Sequence, residues 1–398
     1  MKKTLLAAAI LGSFAASAFA APSVTLYGVI DTGLNYTHYR ADDGTGSTDS
    51  WGMGSSQTSG SRWGLRGTEK IGSANVGFHL ESGFNSDDGT GTMNRLFGRE
   101  ASVFAGGSYG TVTLGRVGKL ISTASSVQMG NVFSPFGVLY GDATIKAATG
   151  TDWGRIDNSV TYVTPSFSGL QLHAQYSFKN DGRSAGAENK SGVDRYAALG
   201  ASYKNGPAQF ALIGDYSLWA NTGANKDVDN GFSVIAGGNY DFKVVRVYGE
   251  VNYFDNQTSL VSGIGGKSLA NITYKNTATD HGFKGWGASL GATAPAFGGK
   301  VLMNVAYRDA KAVTGDEKFK RIAAAAGYSY AFSKRTSCYA AVTYARQKYE
   351  LKDKDQTPSA VGVMTGLVHK FQKASAATSP IAVLRIPGGT AFFRGSSI

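Results

Sequence analysis

Cysteine is nearly missing from this chain of 398 residues: Cys338 stands alone, so no internal disulfide can form. Proline is scarce, at 8 residues, and charged side chains make up only 17%. With 42% hydrophobic and 12% aromatic residues, the composition excludes a disordered chain. Charge of one sign is gathered nowhere. Lysine and arginine are interspersed with acids along the whole length, which argues against a nucleic-acid partner. The five histidines, His38, His79, His173, His281 and His369, lie far apart without an H-x-x-x-H pair, so no metal and no other cofactor is expected. Catalysis is not expected either.

Long hydrophobic runs are missing too. The apolar stretch Leu5 to Leu11 follows Lys2 and Lys3 and precedes Ala18-Phe19-Ala20. A charged start, a short apolar centre and an A-x-A site predict a secretory signal peptide over residues 1–20, cut before Ala21. A membrane helix would need about 20 consecutive apolar residues, and no later stretch supplies them. That exclusion does not reach β-strands, in which only alternate residues face lipid.

What the chain does have is glycine, 54 residues of it, and strict alternation. Leu170, Leu172, Ala174, Tyr176 and Phe178 alternate with Gln171, His173, Gln175 and Ser177. Val245, Val247, Val251 and Tyr253 alternate with Arg246, Tyr248, Glu250 and Asn252. From Val24 to Phe371 sixteen such segments can be counted, many ending in aromatics such as Tyr27, Phe84, Tyr216 and Phe332. Short connections such as Gly107-Ser108, Asn205-Gly206 and Ser333-Lys334 alternate with long polar ones near 40–60, 179–193, 219–230, 255–281, 309–318 and 347–358. The pattern predicts an all-β fold, a 16-stranded antiparallel transmembrane β-barrel with aromatic girdles, short periplasmic turns and long external loops. Cys338 shares its parity with Ala340, Val342 and Tyr344 and should face lipid or a neighbouring subunit. The longest connection, about 117–157, calls for a functional explanation.

Six stretches resemble the trimeric general porins of β-proteobacterial outer membranes. They are Ser23-Val-Thr-Leu-Tyr-Gly-Val-Ile-Asp31, Ser61-Arg-Trp-Gly-Leu-Arg-Gly-Thr-Glu69, Gly110 through Arg116, Asn158 through Pro165, Tyr328 through Thr336, and Gly366-Leu-Val-His-Lys-Phe371. The resemblance implies a homotrimer in the outer membrane that passes small hydrophilic solutes and ions, with lipid around it. It also implies that the third loop, 117–157, folds inward to narrow the pore, and that Phe371 ends an assembly signal read by the barrel-assembly machinery. The exported barrel would therefore span 21–371. Two departures stand out: Val368 where an arginine is usual, and a continuation from Gln372 to Ile398 that has no alternation and no acidic residue.

Selectivity depends on which charges crowd the narrowest part of a pore. Arg62 and Arg66 share a parity opposite to Trp63 and Leu65 and should point into the lumen. Arg99 and Arg116 are further candidates, because the resemblance implies a basic cluster on the wall opposite the loop. Arg116 falls on the parity of Val112 and Leu114, so it needs a bulge at Gly115 to turn inward; otherwise it is a loop-base arginine paired with a nearby carboxylate. Across the pore the loop would supply Asp142, Asp152 and Asp157, with Lys146 among them. Without Lys2 and Lys3, the 39 basic residues become 37 against 28 acids, which predicts mild anion preference. A substrate-specific channel for sugars or organic anions is the alternative, hinted at by Tyr248 beside Arg246 and Glu250; an adhesin or structural anchor is the reading outside transport.

Overall fold

The computed structural model describes residues 24–137, 139–143, 145–221, 229–258, 260, 264–265, 282–350 and 355–372. Residues 1–20, where a leader is expected, and the continuation after Gln372 lie outside the described residues. Alternation produces extended segments from end to end: β1 (Thr25–Arg40), β2 (Ser47–Ser55), β3 (Arg62–Ile71), β4 (Ala74–Gly83), β5 (Glu100–Gly107), β6 (Gly110–Gly118), β7 (Arg155–Val163), β8 (Leu170–Ser177), β9 (Arg195–Asn205), β10 (Ala208–Leu218), β11 (Gly231–Asp241), β12 (Arg246–Gln257), β13 (Phe283–Ala296), β14 (Gly299–Ala312), β15 (Lys318–Ala331), β16 (Thr336–Glu350), β17 (Asp355–Gln356) and β18 (Ser359–Gln372).

These eighteen segments make sixteen staves. β2 and β3 lie end to end along one side of β1, β2 against Thr32–Arg40 and β3 against Thr25–Val29. β17 and β18 likewise follow one another along β16. Every pairing is antiparallel, and β1 pairs with β18 from Tyr27 opposite Gln372 to Arg40 opposite Ser359, which closes the sheet into a barrel. Closure leaves the staves with a hydrogen-bonded neighbour on both sides, as a backbone in hydrocarbon requires, except along β2, which pairs with β1 alone.

Side chains divide by parity. Leu199 is 70% exposed on the outer wall while the next residue inward, Ala198, is 5% exposed. Cys338 lies on the outward parity of β16, beside exposed Val342 and Tyr344. Around the short-turn rim Tyr109, Phe167, Phe242, Phe297 and Phe332 are all exposed, forming an aromatic girdle at one interface. The run Gly106-Gly107-Ser108-Tyr109-Gly110 fits the G-x-S-x-G pattern, but it forms the β5–β6 hairpin and not the strand-to-helix elbow of a nucleophile.

Two features differ from the expectations of polarity. The strands run further than their apolar parts: β14 continues to Ala312 and β15 starts at Lys318, pairing Lys311 with Lys318 inside the stretch that reads as a loop. Beyond the hydrocarbon, paired ribbons need no apolar face, so their backbone ladder persists with polar side chains. The inner wall is also not uniformly polar. Ile213, Ile235, Ala306, Ala323, Ala325 and Ala345 all point inward and are buried, because the connection between β6 and β7 packs on them.

The gap between β2 and β3 is held by one acid. Asp31, fully buried on β1, accepts hydrogen bonds from the Thr58 backbone N–H (2.7 Å), the Thr58 hydroxyl (2.8 Å), the Ser59 N–H (2.7 Å) and the Tyr339 hydroxyl (2.8 Å). Replacing Asp31 by alanine leaves these donors unpaired. At roughly 1.5–3 kcal/mol for a hydrogen bond to a charged group, Asp31→Ala is expected to cost at least about 3 kcal/mol, and it should lower the temperature at which the barrel loses its compact mobility on a detergent gel.

Candidate functional site

The connection from 119 to 154 lies inside the barrel, and its own side chains explain why. Leu120, Ile121, Met129, Phe133, Ile145 and Trp153 are buried against Tyr196, Ile213 and Ile235 of β9, β10 and β11. Phe136, Ala147 and Ala148 pack on Leu302, Ala306, Ala323 and Ala325 of β14 and β15. Each large apolar side chain so buried contributes about 1.5–3 kcal/mol, far more than a loop needs to be held in place. Short 3-10 turns at Gly130–Val132, Gly141–Ala143 and Ile145–Ala147 let the segment follow the curved wall.

What remains open beside the loop is a luminal cavity of about 980 Å³. Six basic residues line it, Arg62, Arg66, Arg99, Lys146, Arg155 and Lys370, against three acids, Glu81, Glu100 and Asp152. Arg62 and Arg66 stand on β3, Arg155 begins β7, and Arg99 immediately precedes β5. Glu81 bridges two of them, at 3.2 Å from Arg62 and 2.7 Å from Arg99, and accepts the Tyr27 hydroxyl at 3.1 Å. Arg66 lies over the Tyr27 ring, 5.0 Å from its centroid. Arg155 donates to the Arg99 carbonyl and, at 3.0 Å, to that of Ala124, so it ties wall to loop. A second tie is Glu100, buried on β5, which accepts from the Ser126 N–H (3.0 Å), the Ser126 hydroxyl and the Ser125 hydroxyl (3.4 Å).

Of the residues expected from the sequence, Arg62, Arg66, Arg99 and Asp152 are therefore brought together around one cavity. Asp152 pairs with Lys119 at 3.0 Å, and Lys119 itself sits 4.5 Å above the Tyr196 ring. Arg116 goes elsewhere. The pairing of β6 with β7 shifts register between Gly115 and Val117, where Gly115 has φ +121°, so the bulge that would turn the arginine exists. The turned side chain meets Asp157 at 2.5 Å and the Gly98 carbonyl at 2.7 Å. Asp157 belongs to β7, outside the loop, and also binds Arg95 at 2.7 Å. Arg95 reaches on to Asp181, whose carboxyl is held down to about 2, chiefly by hydrogen bonds from Arg183. Asp142 is engaged by the wall, 3.2 Å from Arg321, and accepts the Gly265 N–H at 2.6 Å.

Arg155, Glu81 and Glu100 escaped the sequence reading. Glu81 shares the polar parity of His79 in β4 and could have been found from that signal. Arg155 and Glu100 begin strands, where no preceding alternation sets a parity. Among the described residues no three His, Cys, Asp or Glu side chains converge on a metal position.

A closed sixteen-stave barrel with a lipid-facing outer wall and a charged, loop-narrowed lumen defines an outer-membrane diffusion channel. Residues 6–350 match the Gram-negative porin family model, and the chain belongs to that family. It is 38% identical to an outer membrane porin protein of Bordetella pertussis over 403 residues, 93% of this chain and 100% of the relative. It is 32% identical to outer membrane porin protein 32 of Delftia acidovorans, covering 87% of this chain and 90% of that one. Among solved structures it is similar to an anion-selective porin from Comamonas acidovorans, with TM-score 0.63, 26% identity and coverage of 88% and 99%. The protein is an outer-membrane porin, and passive diffusion through its lumen is its function.

Because Glu100 fastens the rising limb of the loop to β5, Glu100→Ala should free Ser125 and Ser126. Single-channel recordings in planar bilayers are expected to show added open-state noise and brief closures, with barrel assembly retained; a quiet, wild-type trace would refute the anchoring role.

Proposed function

We propose that the pore is a general diffusion channel with mild preference for anions, its constriction set by Arg62, Arg66 and Arg99 on the wall against Asp152 and the loop. The carrying observation is the excess of six basic over three acidic residues lining the central cavity, with further support from the likeness to a porin described as anion-selective. Water in the lumen screens each charge, yet all of them act on the same ion path, so the small terms add. Arg116 and Arg95 share Asp157, and Asp142 pairs with Arg321, so these charges serve chiefly to shape the wall.

The unit expected in the membrane is a homotrimer surrounded by outer-membrane lipid. Exposed Leu34, Met53 and Trp51 on β1 and β2 support a protein neighbour at that place, since β2 pairs only with β1 and keeps one open edge. We assign residues 1–20 to a cleaved leader, 21–371 to the barrel, and Phe371 to the end of the signal read by the assembly machinery. Closure of the barrel at β18, which ends at Gln372, supports treating 372–398 as an extension that the barrel does not need.

Two measurements test this reading. In a potassium chloride gradient the reversal potential should report anion preference. For a charge taken to act from about 7 Å, its removal raises chloride and lowers potassium by roughly 0.6 kcal/mol each in water, so Arg62→Ala and Arg99→Ala should each lower the chloride-to-potassium permeability ratio by up to about sevenfold, less as salt screens the charge. Clear cation preference in the unaltered protein would refute the proposal. A chain truncated after Phe371 should assemble at least as well as the full chain, read as heat-modifiable trimer on a gel; loss of assembly would show that the extension is needed.

A further inference from the structure

Behind the loop, on the wall opposite the arginines, lies a polar belt that diffusion does not use. Glu250 and Asn252 of β12, Ser289 of β13 and Asn304 of β14 all point inward and are 3%, 6%, 7% and 2% exposed. The sheet register sets Glu250 directly opposite Ser289 and Asn252 opposite Gly287, with Asn304 opposite Gly291 one step along. The loop seals the belt from above. Asn252 donates to the Ala148 carbonyl at 3.1 Å, and Pro135 rests on Gly291, where an added Cβ would stand 2.6 Å from the proline ring and 2.9 Å from Asn304 Oδ1.

The accounting of donors and acceptors does not close. One Glu250 oxygen accepts from Asn252 Nδ2 at 3.1 Å. Asn252 Oδ1, Asn304 Oδ1 and Asn304 Nδ2 are buried without a hydrogen-bond partner among the described residues, and Glu250 Oε1 has at most the Ser289 hydroxyl across the register. No described ion pair involves the carboxylate: every acid that is paired is another one. A buried carboxylate without a counter-charge is strongly unfavourable, and nearly everything left open around it is oxygen. Carboxylate, amide and hydroxyl oxygens are the ligands of hard cations, which complete their shells with water.

We propose that Glu250, Asn252, Ser289 and Asn304 form a site for an alkaline-earth cation, Ca²⁺ or Mg²⁺, seated between the inward loop and the barrel wall. The way in is the lumen: Tyr248, two residues before Glu250 on the same inward row, and Pro135 both line the central cavity. A single carboxylate makes the site weak, with a dissociation constant on the order of 10⁻³ M, as in extracellular calcium modules. A bound divalent ion here ties the loop to the wall and adds positive charge beside the pore, so it deepens the anion preference on which the functional proposal rests.

The test uses the full protein in planar bilayers and in crystals. Adding Ca²⁺ at constant ionic strength should shift the reversal potential of the unaltered channel further toward chloride. Glu250→Gln should start nearer chloride, having lost a negative charge, and should not respond to Ca²⁺. Crystals soaked in Sr²⁺ should give an anomalous peak among the four side chains, absent in Glu250→Gln; Asn304→Ala, with a weakened peak, serves if that variant does not fold. Equal Ca²⁺ responses in both channels, or no peak, would overturn the site. A cation-preferring pore with the peak present would instead refute the selectivity reading and leave the site standing.

Discussion

Everything in this molecule depends on the backbone pairing between β1 and β18. A sheet in hydrocarbon cannot leave an edge unpaired, because no water is present to take the exposed amides and carbonyls. The first and last staves must therefore find each other across the whole chain, from Tyr27 against Gln372 to Arg40 against Ser359. Once that register is set, every inward position has a fixed height and neighbour, and the lumen inherits its charge map. Asp31 stands at this seam, joining β1 to the break between β2 and β3 and to Tyr339 of β16.

Closure creates a second constraint. A sixteen-stave barrel encloses more space than side chains can fill, and the segment 119–154 occupies it. That segment is held by oil-like contacts on the inner wall, with Ile213 and Ile235 on one side and the small residues Ala306, Ala323 and Ala325 on the other. The four consecutive alanines of β15, Ala323 to Ala326, serve both faces: two receive the loop and two meet lipid. The pore is what the loop leaves open, and its charge comes from wall and loop together, joined by Arg155 and Glu100. The same packing creates the sealed belt around Glu250 on the far side, so conduction and the candidate cation site are two consequences of one docking event.

Much of this was legible in the chain. Alternation at Leu170 to Phe178 or Val245 to Tyr253 needs only the two-residue period of a strand, and it predicts wall, girdle and rim. Arg62 and Arg66 could be aimed inward by the same parity, and the bulge at Gly115 could be anticipated from the misfit of Arg116. Other parts were hidden for a physical reason. Lys311 and Lys318 read as loop because a polar stretch carries no alternation to mark a strand, whereas ribbons in water keep their ladders without an apolar face.

By itself, the order of residues determined the number of staves, which side chains face lipid, and which connections are short, since each of these follows from local periodicity. Only the tertiary structure decided which acids face the pore. Asp152 lines the lumen while Asp157 is taken up by Arg95 and Arg116, and Asp142 by Arg321. Parity says whether a side chain points inward, but its partner is chosen by the register of strands far apart in the chain and by where a buried loop comes to rest.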